Sequence, residues 1–258
     1  MPTVPSPDCR LGIIGVGHLA RAILTGLLRA GWAADDIILS PRGGGAQLAA
    51  EHGFCLAPSN AAVVARAPLI LLSVRPADAV AALSGLPFRA GQTVMSACAG
   101  VPLKDLSIAA PASVMRIMPL TASALGASPT LVHPENPAAA AFLAALGTAI
   151  PIDSEAAYEA ATANSAVYGW VQMLVRETAA WTSTHNVPAP VARALAAHTF
   201  VAAGRMILES EAPMDDLLKS LCTPGGITEA GLKHLEGAGV PQGWRGACDV
   251  VLHRLNRE

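Results

Sequence analysis

The chain has 258 residues, of which 52% are apolar and 14% charged, with a formal net charge of −2. This admits two domains or one large one around a sizeable core and excludes a disordered chain. No basic face is implied, so neither nucleic acid nor an anionic membrane is expected as a partner. The five cysteines, Cys9, Cys55, Cys98, Cys222 and Cys248, are scattered and form no C-x-x-C pair. That argues against a disulfide framework or a zinc site and fits a reducing, cytoplasmic setting.

Residues 1–10 hold Pro2, Pro5 and Pro7 and lack an apolar run, unlike a signal peptide. The apolar residues 11–14 predict a buried strand. Gly15-Val16-Gly17-His18-Leu19-Ala20 follows as G-x-G-x-x-A, and Leu19, Ile23, Leu24, Leu27 and Leu28 then recur at helical spacing as far as Arg29. Strand, glycine turn and helix are the setting of a dinucleotide fingerprint. Gly15 permits the turn, Gly17 lets a pyrophosphate approach the backbone, and Ala20 lets helix and strand pack closely. The phosphates would meet N–H groups at the positive end of the helix. A tight strand–helix turn without a ligand is the alternative reading.

A second strand over 37–39 ends at Ser40-Pro41-Arg42. Asp35 and Asp36 precede that strand, so no acid sits where a ribose 2′-hydroxyl would be held. Ser40 and Arg42 stand where a 2′-phosphate would lie, which favours NADPH over NADH; a solvated loop charge is the alternative for Arg42. Gly43-Gly44-Gly45 lacks the Gly-Lys-Ser/Thr of a phosphate loop. Helices over 46–52 and 60–66 alternate with strands over 54–56, 69–74, 93–97 and 114–118. The run at 69–74 is continuously apolar, as in a strand covered on both faces, and stops at Arg75-Pro76. This predicts an α/β fold, a doubly wound sheet with right-handed crossovers.

Ligands of such sheets bind beyond the carboxyl ends of the strands. Those ends are 15–17, 40–42, 73–76, 97–100 and 118–121. The cofactor candidates are therefore Gly15, Gly17, His18, Leu19, Ser40, Arg42, Asn60, Ser73, Val74, Arg75, Pro76, Cys98 and Ala99. His18 reads as a solvated residue at the helix start. Cys98 reads as packing, because no base accompanies it.

Strands over 131–135 and 148–152 close a first domain, 1–153. Residues 136–152 are interrupted by Pro137, Gly147 and Pro151 and are too short to span a membrane. Residues 154–258 show only helical periodicity. Helices over 158–184 and 191–209 are apolar on most sides and must be buried, which a domain of this size does not achieve alone. Dimerisation through them is expected.

Near the end, Thr223 suits an N-cap, Pro224 a first helical position, and Glu229 the helix dipole. Gly225 and Gly226 leave N–H groups uncovered as a cradle for a carboxylate, and Thr228 adds a hydroxyl. From spacing alone a plain helix start after a tight turn is the preferred reading. The seven histidines show no H-x-x-x-H or H-E-x-x-H spacing, so no metal is expected.

Residues 15–20, Ser73-Val74-Arg75-Pro76, Ala99-Gly100-Val101, Arg116-Ile117-Met118-Pro119 and, most specifically, residues 222–236 (CTPGGITEAGLKHLE) resemble pyrroline-5-carboxylate reductases over both domains. The resemblance implies a Rossmann-type NADP domain followed by an all-α dimerisation and substrate domain. It implies a homodimer or a larger assembly of dimers, and hydride transfer from NADPH to the C=N carbon of 1-pyrroline-5-carboxylate, giving L-proline. By resemblance Thr228 bonds the ring nitrogen and donates the proton. Met118, Thr223, Gly225, Gly226, Ile227 and Thr228 receive the substrate.

Two segments depart from the family pattern. Leu120 stands where the family has Asn within Met-Pro-Asn-Thr-Pro. Asn164-Ser165-Ala166-Val167-Tyr168-Gly169-Trp170 replaces Ser-Gly-Ser-Gly-Pro-Ala-Tyr. A reshaped pocket for piperideine-2-carboxylate or pyrroline-2-carboxylate is one alternative. A catalytically silent NADP-binding protein is another. Tyr168 is a second candidate proton donor, or a buried helix residue.

Overall fold

The computed structural model describes residues 9–256; the segment 1–8, within the stretch judged unlike a signal peptide, lies outside the described residues. The chain divides into two compact units. One runs to Ser165 and takes back the chain from Leu252; the other is Ala166–Val251. The division falls inside one long helix, beyond the 153/154 boundary where the sequence pattern changes from alternating to helical.

The first unit is an eight-stranded sheet ordered β3-β2-β1-β4-β5-β6-β7-β8. Strands β1 (Leu11–Ile14), β2 (Ile37–Leu39), β3 (Cys55–Leu56), β4 (Leu69–Leu72), β5 (Thr93–Ser96) and β6 (Ser113–Met118) are parallel. Helices α1 (His18–Arg29), α2 (Gly45–His52), α3 (Asn60–Arg66), α4 (Ala79–Leu83) and α5 (Leu103–Leu106) intervene. Apolar side chains alternate between two cores. Leu11, Ile13, Ile37, Leu39 and Leu71 face α1 and α6 (Ala140–Leu146), while Ile14, Ile38, Ile70 and Leu72 face α3 and α4. This double coverage is why these strands read as continuous apolar runs. The expected Rossmann-type sheet is the observed one.

Strand ends shift by a residue or so throughout, and β4 and β7 differ most from the sequence reading. β4 stops at Leu72 rather than residue 74. Just past it Ser73 still donates its N–H to Ile14 O of β1 at 2.9 Å and its hydroxyl to Gly15 O at 2.6 Å. β7 (Ser128–His133) starts before residue 131 and runs antiparallel to β6. The short 3-10 turn Thr121–Leu125 joins them, and a connection that short cannot make a parallel crossover. The carboxyl end of β7 therefore lies away from those of β1–β6. β8 (Gly147–Pro151) then pairs parallel to β7.

Helix α7 (Glu155–Ser183) starts in the first unit, where Tyr158, Thr162 and Ala163 are buried. The second unit holds the rest of α7, then α8 (Ala189–Leu208), α9 (Met214–Ser220), α10 (Ile227–Gly237) and α11 (Val240–Leu255) as far as Val251. Within it only Ala192 and Ala196 are buried among the described residues. As expected, one chain does not bury the long helices by itself: Leu195 is 59%, Met206 68% and Leu208 85% exposed. By length and composition α8 could also cross a membrane, a test that core helices of soluble proteins pass too.

Candidate functional site

A cavity of ≈ 900 Å³ opens beyond the carboxyl ends of β1, β2 and β4. It gathers Gly15, Gly17, Ser40, Arg42, Asn60, Ser73, Val74 and Arg75, eight of the residues nominated from sequence. The glycine turn is held from both sides. Its Gly15 N–H donates to Ser40 Oγ at 3.1 Å and its Gly15 carbonyl accepts from Ser73 Oγ at 2.6 Å. Both serine hydroxyls therefore hold the loop, whatever else they touch. Gly15 sits at φ +92°, and a Cβ there would fall 2.7 Å from Ser73 O, so β1 and β4 could not approach each other with any other residue.

Gly17 differs. Its backbone is extended, at φ −102° and ψ −160°, and a Cβ built on it meets no protein atom within 4 Å. The protein has no need of glycine there, whereas a ligand lying against the backbone does. Gly17 is also the N-cap of α1, which has no acid in its first turn and offers the unpaired amides that end every helix. Arg42 and Arg75 line the same cavity, are exposed, and form no ion pair among the described residues. A glycine cradle, helix amides and two guanidinium groups match the phosphates of a dinucleotide.

Five cofactor candidates do not line this cavity. Leu19 packs on the core, and His18 is exposed at the start of α1. Pro76 begins the 3-10 turn Pro76–Asp78. Cys98 is 2% exposed; its thiol donates to Val74 O at 3.4 Å, and burial pushes its pKa up, so it is packing, as read. Ala99 packs with Met118, Leu131 and Tyr158 in a small separate core, so Met118 is 7% exposed. Sequence reasoning missed Ser59, at the start of α3, Asp78, in the 3-10 turn after β4, and Ala82, in α4, all of which line the cavity. Asn60 is placed there by its Nδ2 donating to Ala82 O at 3.4 Å.

A charged cluster was also missed, though Arg116 stood in a matched motif. Arg116 is 1% exposed. Its Nη1 lies 3.0 Å from Glu155 Oε1, its Nη2 lies 2.7 Å from Glu159 Oε2, and its guanidinium sits 4.6 Å above the Tyr158 ring. Glu155 Oε1 also accepts the Leu103 N–H at 2.7 Å. Burial holds the Tyr158 phenol far above its ordinary pKa, and its hydroxyl has no hydrogen-bond partner among the described residues. Among these residues no group of three or more His, Cys, Asp or Glu could hold a metal.

In the second unit the 223–228 segment departs from expectation. Helix α10 begins at Ile227 with Gly226 as N-cap, not at Pro224 with Thr223 as cap. Gly225, at φ +72°, makes a turn that helix geometry forbids, closed by Gly226 N–H donating to Thr223 O at 2.8 Å. The Gly225 N–H donates to Glu229 Oε2 at 2.8 Å, and Lys233 Nζ lies 2.8 Å from Glu229 Oε1. These bonds hold the Glu229 carboxyl below its ordinary pKa. Both glycine amides are therefore already paired, and the groups left for an anion are the first-turn amides of Ile227, Thr228 and Glu229. Thr228 and Ile227 are exposed, and Tyr168 is half-buried in α7.

Residues 155–257 match the family model for pyrroline-5-carboxylate reductase dimerisation, and residues 10–100 that for the NADP oxidoreductase, coenzyme F420-dependent. The chain is 30% identical over 246 residues to a pyrroline-5-carboxylate reductase of Pseudomonas aeruginosa, covering 89% of each. It superposes with TM-score 0.86 and 18% identity on a Plasmodium falciparum pyrroline carboxylate reductase with NADP bound, over 98% of this chain and 99% of that one. A 1-pyrroline-5-carboxylate reductase of Streptococcus pyogenes gives TM-score 0.85 at 23% identity, over 98% and 100%. At these identities the two structures establish a shared fold.

Proposed function

As this chain belongs to the pyrroline-5-carboxylate reductase family, we propose that it reduces 1-pyrroline-5-carboxylate to L-proline with NADPH. The carrying observation is the cavity that combines an unobstructed Gly17, the α1 N-terminus and the unpaired Arg42 and Arg75. Gly15, Gly17 and the His18 and Leu19 amides hold the pyrophosphate. Arg42 takes the 2′-phosphate. Asn60 and the Ser73–Pro76 loop line the adjoining space, and Ala99, above Cys98, closes the nicotinamide side. When bound, NADPH supplies a hydride to the C=N carbon of the substrate.

Two places are assigned to the substrate, each within its own unit: Met118 at the end of β6, and the turn from Thr223 through Gly225, Gly226, Ile227 and Thr228. The helix amides there bind its carboxylate, and the Thr228 hydroxyl bonds its ring nitrogen and delivers the proton. Residues 1–153 are assigned to the cofactor and 154–258 to substrate and assembly. The apolar surface of α8 is covered by a second copy of the chain, giving a homodimer or an assembly of dimers. Five free thiols suit a cytoplasmic location.

A second reading, a related cyclic imine such as piperideine-2-carboxylate or pyrroline-2-carboxylate, is favoured by Leu120. This half-buried apolar side chain follows Met118-Pro119 where the family carries an amide. The test is NADPH oxidation with a panel of five- and six-membered cyclic imino acids. The highest kcat/KM with 1-pyrroline-5-carboxylate is expected. Preference for another ring selects the second reading, and oxidation with none, cofactor binding intact, leaves a silent NADP-binding protein. Thr228→Ala is expected to lower kcat/KM on the order of 10²-fold, as for one positioned acid. An unaffected value would leave Thr228 as a plain helix-start residue.

A further inference from the structure

The charges around the buried Arg116, behind Ala99 and Met118, do not balance. Arg116 faces two carboxylates, Glu155 and Glu159, so the group carries one surplus negative charge. Glu155 is well supported: it accepts the Leu103 N–H, and its side chain is 36% exposed. Glu159 has less support. Its side chain is 14% exposed, its Oε1 has no hydrogen-bond partner among the described residues, and its Oε2 meets Arg116 at ion-pair distance without hydrogen-bond alignment. The surplus therefore resides mainly on Glu159.

That charge stands one side chain away from the end of the sheet. Arg116 and Met118 are two residues apart on β6 and share a face. Tyr158, between the two acids on α7, lies under the Arg116 guanidinium and packs against Met118, Leu131 and Ala99. Ala99 and Met118 lie at the carboxyl ends of β5 and β6. The strand order reverses between β1 and β4, so β4–β6 form the half of a doubly wound sheet that faces the second mononucleotide. The neighbouring acids, Cys98 and Tyr158, are held neutral by burial and do not add to the charge. His133, whose ring lies 6.4 Å from that of Tyr158, has its Nδ1 2.7 Å from Ile152 O.

Resting on the NADPH reading above, we propose that the Glu159 carboxylate makes this site bind the oxidised cofactor, with its positive ring, more tightly than the reduced cofactor, with its neutral ring. The two forms differ by one unit of charge on the nicotinamide. At an effective dielectric constant of about 20, a fixed charge that favours the positive ring by about 1.4 kcal/mol changes their relative affinity tenfold. Tighter binding of the oxidised form makes the bound couple a stronger hydride donor by the same factor, which favours imine reduction. Glu159 thus acts through its field, without touching the substrate.

The test is the dissociation constant of NADP⁺ and of NADPH, each measured by calorimetry on the full chain. Wild type, Glu159→Gln and Glu159→Asp are compared at one ionic strength. Loss of the charge in Glu159→Gln is expected to weaken NADP⁺ relative to NADPH about tenfold, and Glu159→Asp to keep the wild-type ratio. Loosened packing alone would weaken both nucleotides together and leave the ratio unchanged. If Glu159→Gln does not fold, Glu155→Gln removes a charge from the same group and is expected to shift the ratio in the same direction by less. An unchanged ratio in the folded neutral variant, with both nucleotides still bound, overturns this inference and spares the proposed function. Wild type that binds neither nucleotide overturns both.

Discussion

Replacing Arg116 by Met tests whether the buried ion cluster holds the first unit together. Met keeps the apolar stem and removes the guanidinium, stranding Glu155 and Glu159 against the sheet. Removing one partner of a buried pair costs about 3–5 kcal/mol, mostly because the charge left behind is unpaired. Two features set the position in that range. The Glu155 side chain is 36% exposed and can turn to water, which favours the lower end. Glu159, at 14%, cannot, and the stacking over Tyr158 is lost as well. A loss of about 3 kcal/mol is therefore expected. For a chain of this size that is a fall in Tm of roughly 6–12 °C. Thermal and urea unfolding followed by circular dichroism measure it, with a second probe to check that the two units unfold together. The double variant R116M/E159Q should recover part of the loss, since it removes the stranded charge. A loss under about 1 kcal/mol, with no recovery in the double variant, would show that the cluster behaves as a surface pair.

Gly17→Val should cost no more than about 1 kcal/mol of stability, the N-cap preference for glycine, because its Cβ enters open space. NADPH affinity should nonetheless fall at least about tenfold, the mark of a ligand lying against that position; retained affinity would mean the phosphates lie elsewhere. Arg42→Glu should move the ratio of kcat/KM for NADPH over NADH sharply towards NADH, and an unchanged ratio would remove Arg42 from the 2′-phosphate site. Burial raises the pKa of the Cys98 thiol above its ordinary value. Its contribution is therefore complete below that value and is lost as pH rises through the folded pKa. Stability should decline in alkali, and Cys98→Ala should flatten the decline in a urea series across pH; equal slopes would refute it.

Much of the first unit was legible because its signals are local. β1, β2 and α3 match the residues read as strands and helix from the sequence, and Gly15 is a glycine for the reason its motif implies. The direction of β7 was not legible, because an apolar run carries no information on which way its neighbour points. The length of the β6–β7 connection decides that. The start of α10 was misread at Thr223 and Pro224 because cap preferences are weak, whereas the left-handed Gly225 sets the turn. Ser40 and Ser73 were nominated for the ligand by their position at strand ends. Only the folded chain shows their hydroxyls meeting on Gly15 from 25 and 58 residues further along the chain.

The amino-acid sequence by itself determined the strands of the first unit and the glycine turn between β1 and α1. These depend on periodicity and on the conformational freedom of single residues, which neighbours in the chain settle among themselves. The tertiary structure alone decided which nominated side chains share a cavity, and that Arg116 meets Glu155 and Glu159 with one charge left over. Burial and electrostatic balance depend on groups far apart along the chain, and only packing sets the distances between them.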